Sequence, residues 1–454
     1  MKKGEVTAFL SLIFILLVAF IGGIMESASV QMAKNYRRTD MNRAMEAVFA
    51  EYQKELLEEY DIFSLDGTYE SGKYAEKMIK QRLAFFGAGS MENRIRKIQF
   101  LTDNGAEAFY EQVEYFMQHK YGKNHLKDKL PMADTWKDRE EKIESFKEKS
   151  RKKAAELEGL LREARGELPG QDNPIAYVSQ LKSRPLLELV MPGNRRESNM
   201  KLNLNETLAI RSKNRGYGNF TSTAAGGGRL SWLVFGEYLL EHFSTAVDTG
   251  MKGVLDYELE YIYAGKGSDR ENLEEVAKKL LAMRFASNYR FLQSSSSKRL
   301  EAEELAEALC AQAELTELAG VSAQVILSSW AYGESVVDLR ALLNGSRVPL
   351  AKTEESWQLS ISGLMKLGEG GNINDGRDCK DGLPYEEYLR MLLFQEKRER
   401  VGMRTLDVIE QNLRKVHGAK FFKADCCISK IEIKSTVRLR REITYRFQTY
   451  YGYN

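Results

Sequence analysis

Twenty consecutive uncharged residues, 6–25, lie between Glu5 and Glu26, and this run constrains the chain more than any other feature. Its large apolar members are Val6, Phe9, Leu10, Leu12, Ile13, Phe14, Ile15, Leu16, Leu17, Val18, Phe20, Ile21, Ile24 and Met25. As a helix it would span about 30 Å, the thickness of a bilayer hydrocarbon core. Thr7 and Ser11 are its polar residues, and their hydroxyls can bond back to helix carbonyls. A cleaved secretory signal is the competing reading, with Ser27, Ala28 and Ser29 imitating a cleavage site. Such signals carry a shorter apolar region of about 7–15 residues. We therefore expect an uncleaved, single-pass anchor.

The periodicity continues past the run. Met41, Met45, Val48, Phe49, Tyr52 and Leu56 recur at steps of three and four, while Arg43, Glu46, Glu51, Lys54 and Glu58 point elsewhere. This predicts one long helix, apolar first and amphipathic after, whose second half docks on a soluble body. Pilins and pseudopilins share that plan. Lys2 and Lys3 favour a cytoplasmic N-terminus; Lys34, Arg37, Arg38 and Arg43 pull the other way.

The remaining composition narrows the class. The 454 residues carry 67 Lys+Arg and 65 Asp+Glu, so the net charge of +2 argues against a general nucleic-acid partner. Four cysteines exclude a disulfide-dense scaffold, and seven prolines leave room for long helices. The expected fold is mainly α (α+β): an N-terminal transmembrane helix continuing into an amphipathic helix, a helical body, and a small antiparallel β element at the C-terminus.

Along the chain we expect an anchor and stalk at 1–62 and a helical region with a charged helical hairpin at 63–193. An irregular linker follows at 194–228, then a helical core at 229–366, a Gly/Asn/Asp loop at 367–384, and a helix plus strands at 385–454. Residues 69–121 read as mostly helical. Ser268 and Glu271 have capping-box spacing. Residues 321–343 are apolar enough to form the central core helix. The alternation of Ile428, Ile431 and Ile433, then Val437 and Leu439, then Ile443, Tyr445, Phe447 and Tyr450 with polar residues reads as two or three antiparallel strands.

Motifs for chemistry are sparse. Gly265-Lys266 lacks the upstream Gly of a phosphate loop, since Glu260 stands there. The four histidines have no metal-ligand spacing. Cys379 could bridge Cys426 or Cys427, but buried or free thiols are the reading taken for all four cysteines. Asn372, Asn374, Asp375, Asp378 and Asp381 suggest calcium but fail the EF-hand register. Glu334 and Asp338, four apart on the apolar helix, are read as hydrogen-bonded structural acids before catalytic ones. No catalytic residue, metal or cofactor is expected.

Four segments carry a resemblance. They are residues 4–12 with 25–28, 50–52 and 59–63; residues 255–266 with 268–273; residues 330–343 with 348–350 and 357–360; and residues 385–390. They contain Glu26; Tyr257, Glu258, Glu260, Gly265, Lys266, Asp269 and Arg270; and Trp330, Glu334, Asp338 and Arg340. With them the chain resembles a family of bacterial single-pass proteins of unknown function, grouped with the TadE/TadG-like (tight-adherence pilus) membrane proteins. The resemblance implies a cell-membrane protein with its N-terminus cytoplasmic and its bulk extracytoplasmic. Its expected partners are the lipid bilayer, through one helix, and envelope or pilus-assembly proteins. It brings no catalytic residues. Gly4 suits prepilin processing, but the fifth residue after it is Phe9 rather than Glu, so that maturation is not expected. The function expected is structural or assembly, with an envelope ligand-binding sensor as the alternative and an extracytoplasmic enzyme behind it.

Overall fold

The uncharged run is helical, and the helix does not stop where the charges begin. In a computed structural model it runs unbroken from Lys2 to Phe49. The structure describes residues 2–122, 130–221, 228–248, 250, 253–368 and 376–453. The chain is mainly helical, with a small antiparallel sheet built largely from its C-terminal residues. It divides into two compact units.

The first unit comprises residues 1–116, 212–224 and 409–454. Four strands form its sheet: β1 (Leu65–Asp66), β2 (Glu92–Phe100), β3 (Cys427–Arg438) and β4 (Thr444–Gly452). Every pairing is antiparallel, and β3 is the centre. β2 lies along one edge of β3, while β1 and β4 share the other. Met41, Ala44, Met45, Val48 and Phe49 of the N-terminal helix pack with Ile95, Ile98, Ile431, Ile433, Val437 and Phe447 in one buried cluster. The Tyr453 hydroxyl donates to the Phe49 carbonyl at 2.5 Å, using a terminal helix oxygen that has no partner further along the helix.

One expectation needs correction in this unit, and another needs a strand added. The amphipathic helix ends at Phe49, not near Leu56. Tyr52 instead forms an isolated antiparallel bridge with Leu65, and Leu56 is buried on a separate short helix, Lys54–Tyr60. Residues 69–121 are mostly helical, through Glu76–Leu83, Ala84–Ala88 and Asp103–Tyr121, but β2 lies among them, a strand that the periodicity does not announce. Ile95 and Ile98 are three apart, a helical spacing. They share a buried face because the register with β3 shifts between Ile95 and Lys97, a bulge that changes the strand's period.

The second unit comprises residues 117–211 and 225–408. Its centre is the helix Ala319–Leu343, buried on every side, as its all-round apolar surface requires. Helices Leu130–Ala164, Pro174–Lys182, Leu186–Val190, Asp269–Ser294 and Ser296–Gln312 pack around it. The charged helix is Leu130–Ala164, and its Ile143 and Leu157 are buried against the body. The Ser268 hydroxyl accepts the Glu271 N–H at 3.3 Å, the cap its spacing implied. Tyr385–Gln395 packs against Arg229–His242 and Glu258–Ala264.

Candidate functional site

The apolar run and the residues that carry the resemblance are the two candidate regions. Every large apolar side chain from Val6 to Met25 is exposed, from 41% at Ile13 to 69% at Phe20. A bare surface of that size does not persist in water without a partner. This is the one helix among the described residues long and apolar enough to cross a membrane. Glu26, the first charge after the run, forms an ion pair with Arg441 of the β3–β4 turn.

In the second unit, residues 257–270 supply one buried polar cluster. Tyr257 precedes the helix Glu258–Ala264. Its hydroxyl accepts the Ser198 N–H at 3.0 Å. Asp269 Oδ2 accepts the Ser198 hydroxyl at 2.6 Å and the Asp256 N–H at 2.9 Å. Glu258 Oε2 accepts the Ser244 N–H at 3.1 Å. Glu260 Oε1 accepts the Ala246 N–H at 2.9 Å and the Tyr385 hydroxyl at 2.7 Å. Burial pushes the Glu260 carboxyl up to about 7, against the lowering effect of those two donors. Gly265 closes the helix at φ +68°, a left-handed turn that glycine adopts without strain. Its N–H donates to the Tyr261 carbonyl at 2.7 Å. The Lys266 backbone exchanges two hydrogen bonds with the Asn272 amide. The side chains of Lys266 and Arg270 are exposed, and Arg270 lies 3.4 Å from Glu197.

The helix Ala319–Leu343 supplies the other cluster. Trp330 is fully buried, and its indole N–H donates to the Leu359 carbonyl at 2.7 Å. The Trp357 indole donates to the same oxygen at 2.6 Å, with the two rings edge to face. One turn on, Lys352 Nζ lies 2.5 Å from Glu334 Oε1 and 2.8 Å from Asp338 Oδ1; the second contact is an ion pair without hydrogen-bond alignment. Arg284 Nε donates to Asp338 Oδ2 at 2.9 Å, and Asn288 donates to the same atom at 2.9 Å. Glu334 also accepts the backbone N–H groups of Gln358 and Leu359. Two carboxylates thus face two cations, all buried. Burial raises the Glu334 carboxyl, with Lys352 opposing. Burial would also raise Asp338, but Arg284 and Lys352 outweigh it and hold that carboxyl below its usual range.

Arg340 takes no part in this cluster; its Nε donates to the Leu189 carbonyl at 2.6 Å. Arg284, Asn288 and Lys352 were not singled out from the sequence. Arg284 and Asn288 sit four apart on the buried face of a helix with Leu280 and Leu292, a polar pair within an apolar stripe. Arg284 Nη1 also donates to the Pro349 and Leu350 carbonyls, so the cluster ties segment 348–359 to two helices. Its buried acids and cations neutralise one another.

Among the described residues no group of His, Cys, Asp and Glu could hold a metal ion. Asn372, Asn374 and Asp375 lie outside the described residues. Asp378 is held to about 2 by hydrogen bonds from Arg347, with Nη2 at 2.6 Å. Cys310, Cys379, Cys426 and Cys427 are all free thiols.

The profile of a protein family described as a family of unknown function (DUF5702) matches residues 164–439, more than half of the chain. No curated protein and no solved structure matches it.

Proposed function

The chain belongs to this family of unknown function, and we propose that it is a single-pass membrane protein with a structural or assembly role at the bacterial envelope. The observation that carries the reading is the continuity of the N-terminal helix. Over residues 6–25 it is bare for one bilayer thickness, and from Met41 to Phe49 the same rod is buried in the core of the first unit. An anchor that merges into a folded core ties the first unit directly to the membrane.

The body stands outside the cytoplasm in this reading, with Lys2 and Lys3 inside. The link to a tight-adherence-type pilus rests on the TadE/TadG-like resemblance. A non-catalytic role agrees with Glu334 and Asp338 being fully paired by Arg284 and Lys352. Protease treatment of spheroplasts tests the topology: the body should be digested while the full-length chain resists carbonate extraction. A chain released by carbonate, or shortened by about thirty residues at its N-terminus, would overturn the anchor. Co-purification from detergent should recover pilus-assembly proteins; recovery of cytosolic proteins alone would remove the pilus link.

A further inference from the structure

The β3–β4 turn lies beside the end of the apolar run, and it is basic. β4 runs alongside the N-terminal helix in the same direction. Lys34 Nζ lies 5.5 Å from the Tyr445 ring centre, and the Arg38 guanidinium lies 5.9 Å from the Phe447 ring centre. Two strand residues advance about 6.6 Å and four helix residues about 6.0 Å, so helix and strand stay in step. Followed toward the N-terminus, this step brings the turn opposite Glu26, where Arg441 makes its ion pair. Glu26 directly follows Met25, the last residue of the bare run.

The charges there are unbalanced. Arg438, Arg440 and Arg441 are exposed on the hairpin. The acids facing them are Glu26, which takes Arg441, and Glu442; Asp40 on the helix is occupied by Arg37 and Arg43. Arg438 and Arg440 have no ion-pair partner among the described residues. Arg441 and Glu442 both have φ near +57°, the backbone of a tight hairpin turn that Asn and Gly usually fill. The turn thus holds a long cation where its own geometry favours a small residue. Ile443 beside it is 37% exposed.

We propose that this hairpin tip binds anionic phospholipid headgroups at the membrane surface from which the N-terminal helix emerges. The inference rests on residues 6–25 spanning the bilayer. Arginines within a side chain's reach of the hydrocarbon boundary lie where the anionic surface potential is strongest. The contact gives the body a second point of attachment and restricts rotation about the helix axis.

The test uses the full-length chain in nanodiscs of phosphatidylcholine alone or with added phosphatidylglycerol. Phenylglyoxal modification of Arg440 and Arg441 is followed by mass spectrometry, with exposed Arg299 as internal reference. Phosphatidylglycerol should slow modification at the tip by about fivefold or more, and about 0.5 M salt should remove most of that protection. R438Q/R440Q should lower the protection of Arg441, and R438K/R440K should retain it. Equal tip rates in both lipids would overturn the headgroup contact and leave the anchor intact. A chain that stays outside the discs would overturn the anchor itself, and this inference with it.

Discussion

Lys352 Nζ lies 2.5 Å from Glu334 Oε1, and neither side chain has any solvent exposure. Burying two charges is costly unless each is matched, and here Asp338 and Arg284 complete the balance. Replacing Lys352 by Met should leave a carboxylate uncompensated and destabilise the second unit by about 3–5 kcal/mol. Urea unfolding of the detergent-solubilised chain, followed by tryptophan fluorescence, measures it. The double variant K352M/E334Q should recover part of the loss; no recovery would mean that the charge balance is not what holds this site.

Glu260 gives the fold a pH dependence of definite sign. Its folded carboxyl is raised from 4.5 to about 7 by burial. Between those values the folded state holds the proton more tightly than the unfolded chain does. The stabilisation is therefore fully present below about pH 4.5 and is lost as pH rises through about 7. Subtracting the stability profile of E260Q from that of the wild type should isolate a fall on the order of 3 kcal/mol across this window. A flat difference would show that Glu260 is ionised throughout.

Gly265→Ala should cost more than about 1 kcal/mol. A left-handed φ of +68° penalises any Cβ, and one built here would stand 2.5 Å from Arg404 Nε. Arg404 would have to leave the Ile262 and Tyr263 carbonyls that it caps. A melting temperature equal to that of wild type would contradict this.

The hairpin tip should respond in the opposite direction. R441N/E442G places favoured residues at two left-handed positions and should stabilise the first unit by about 1 kcal/mol or more. R441N alone, which removes one positive charge from the tip, should weaken the protection conferred by phosphatidylglycerol. Hydrogen exchange of β3 and β4 amides reports the first effect and Arg440 modification the second.

Much of this architecture is legible in short windows. The apolar run, the Ser268 cap and the helix around Trp330 are local patterns, in which neighbours along the chain decide the conformation. β2 was not legible, because its partner strand lies more than three hundred residues away and its bulge gives Ile95 and Ile98 a helical spacing. Glu334 and Asp338 stood out as acids on an apolar helix, but their partners Arg284 and Lys352 come from other segments. No spacing rule links those positions.

The sequence by itself determined that the chain has a long helix with an uncharged stretch at residues 6–25, a helical body and terminal strands. Those features follow from periodicity and from the solvation cost of apolar and charged groups. Only the tertiary structure decided that the N-terminal rod passes from bare surface into the core of a sheet closed by the last strand. It alone matched the buried acids with cations and set Arg441 beside Glu26. Such pairings join residues hundreds of positions apart, and their energy exists only once burial has removed the water between them.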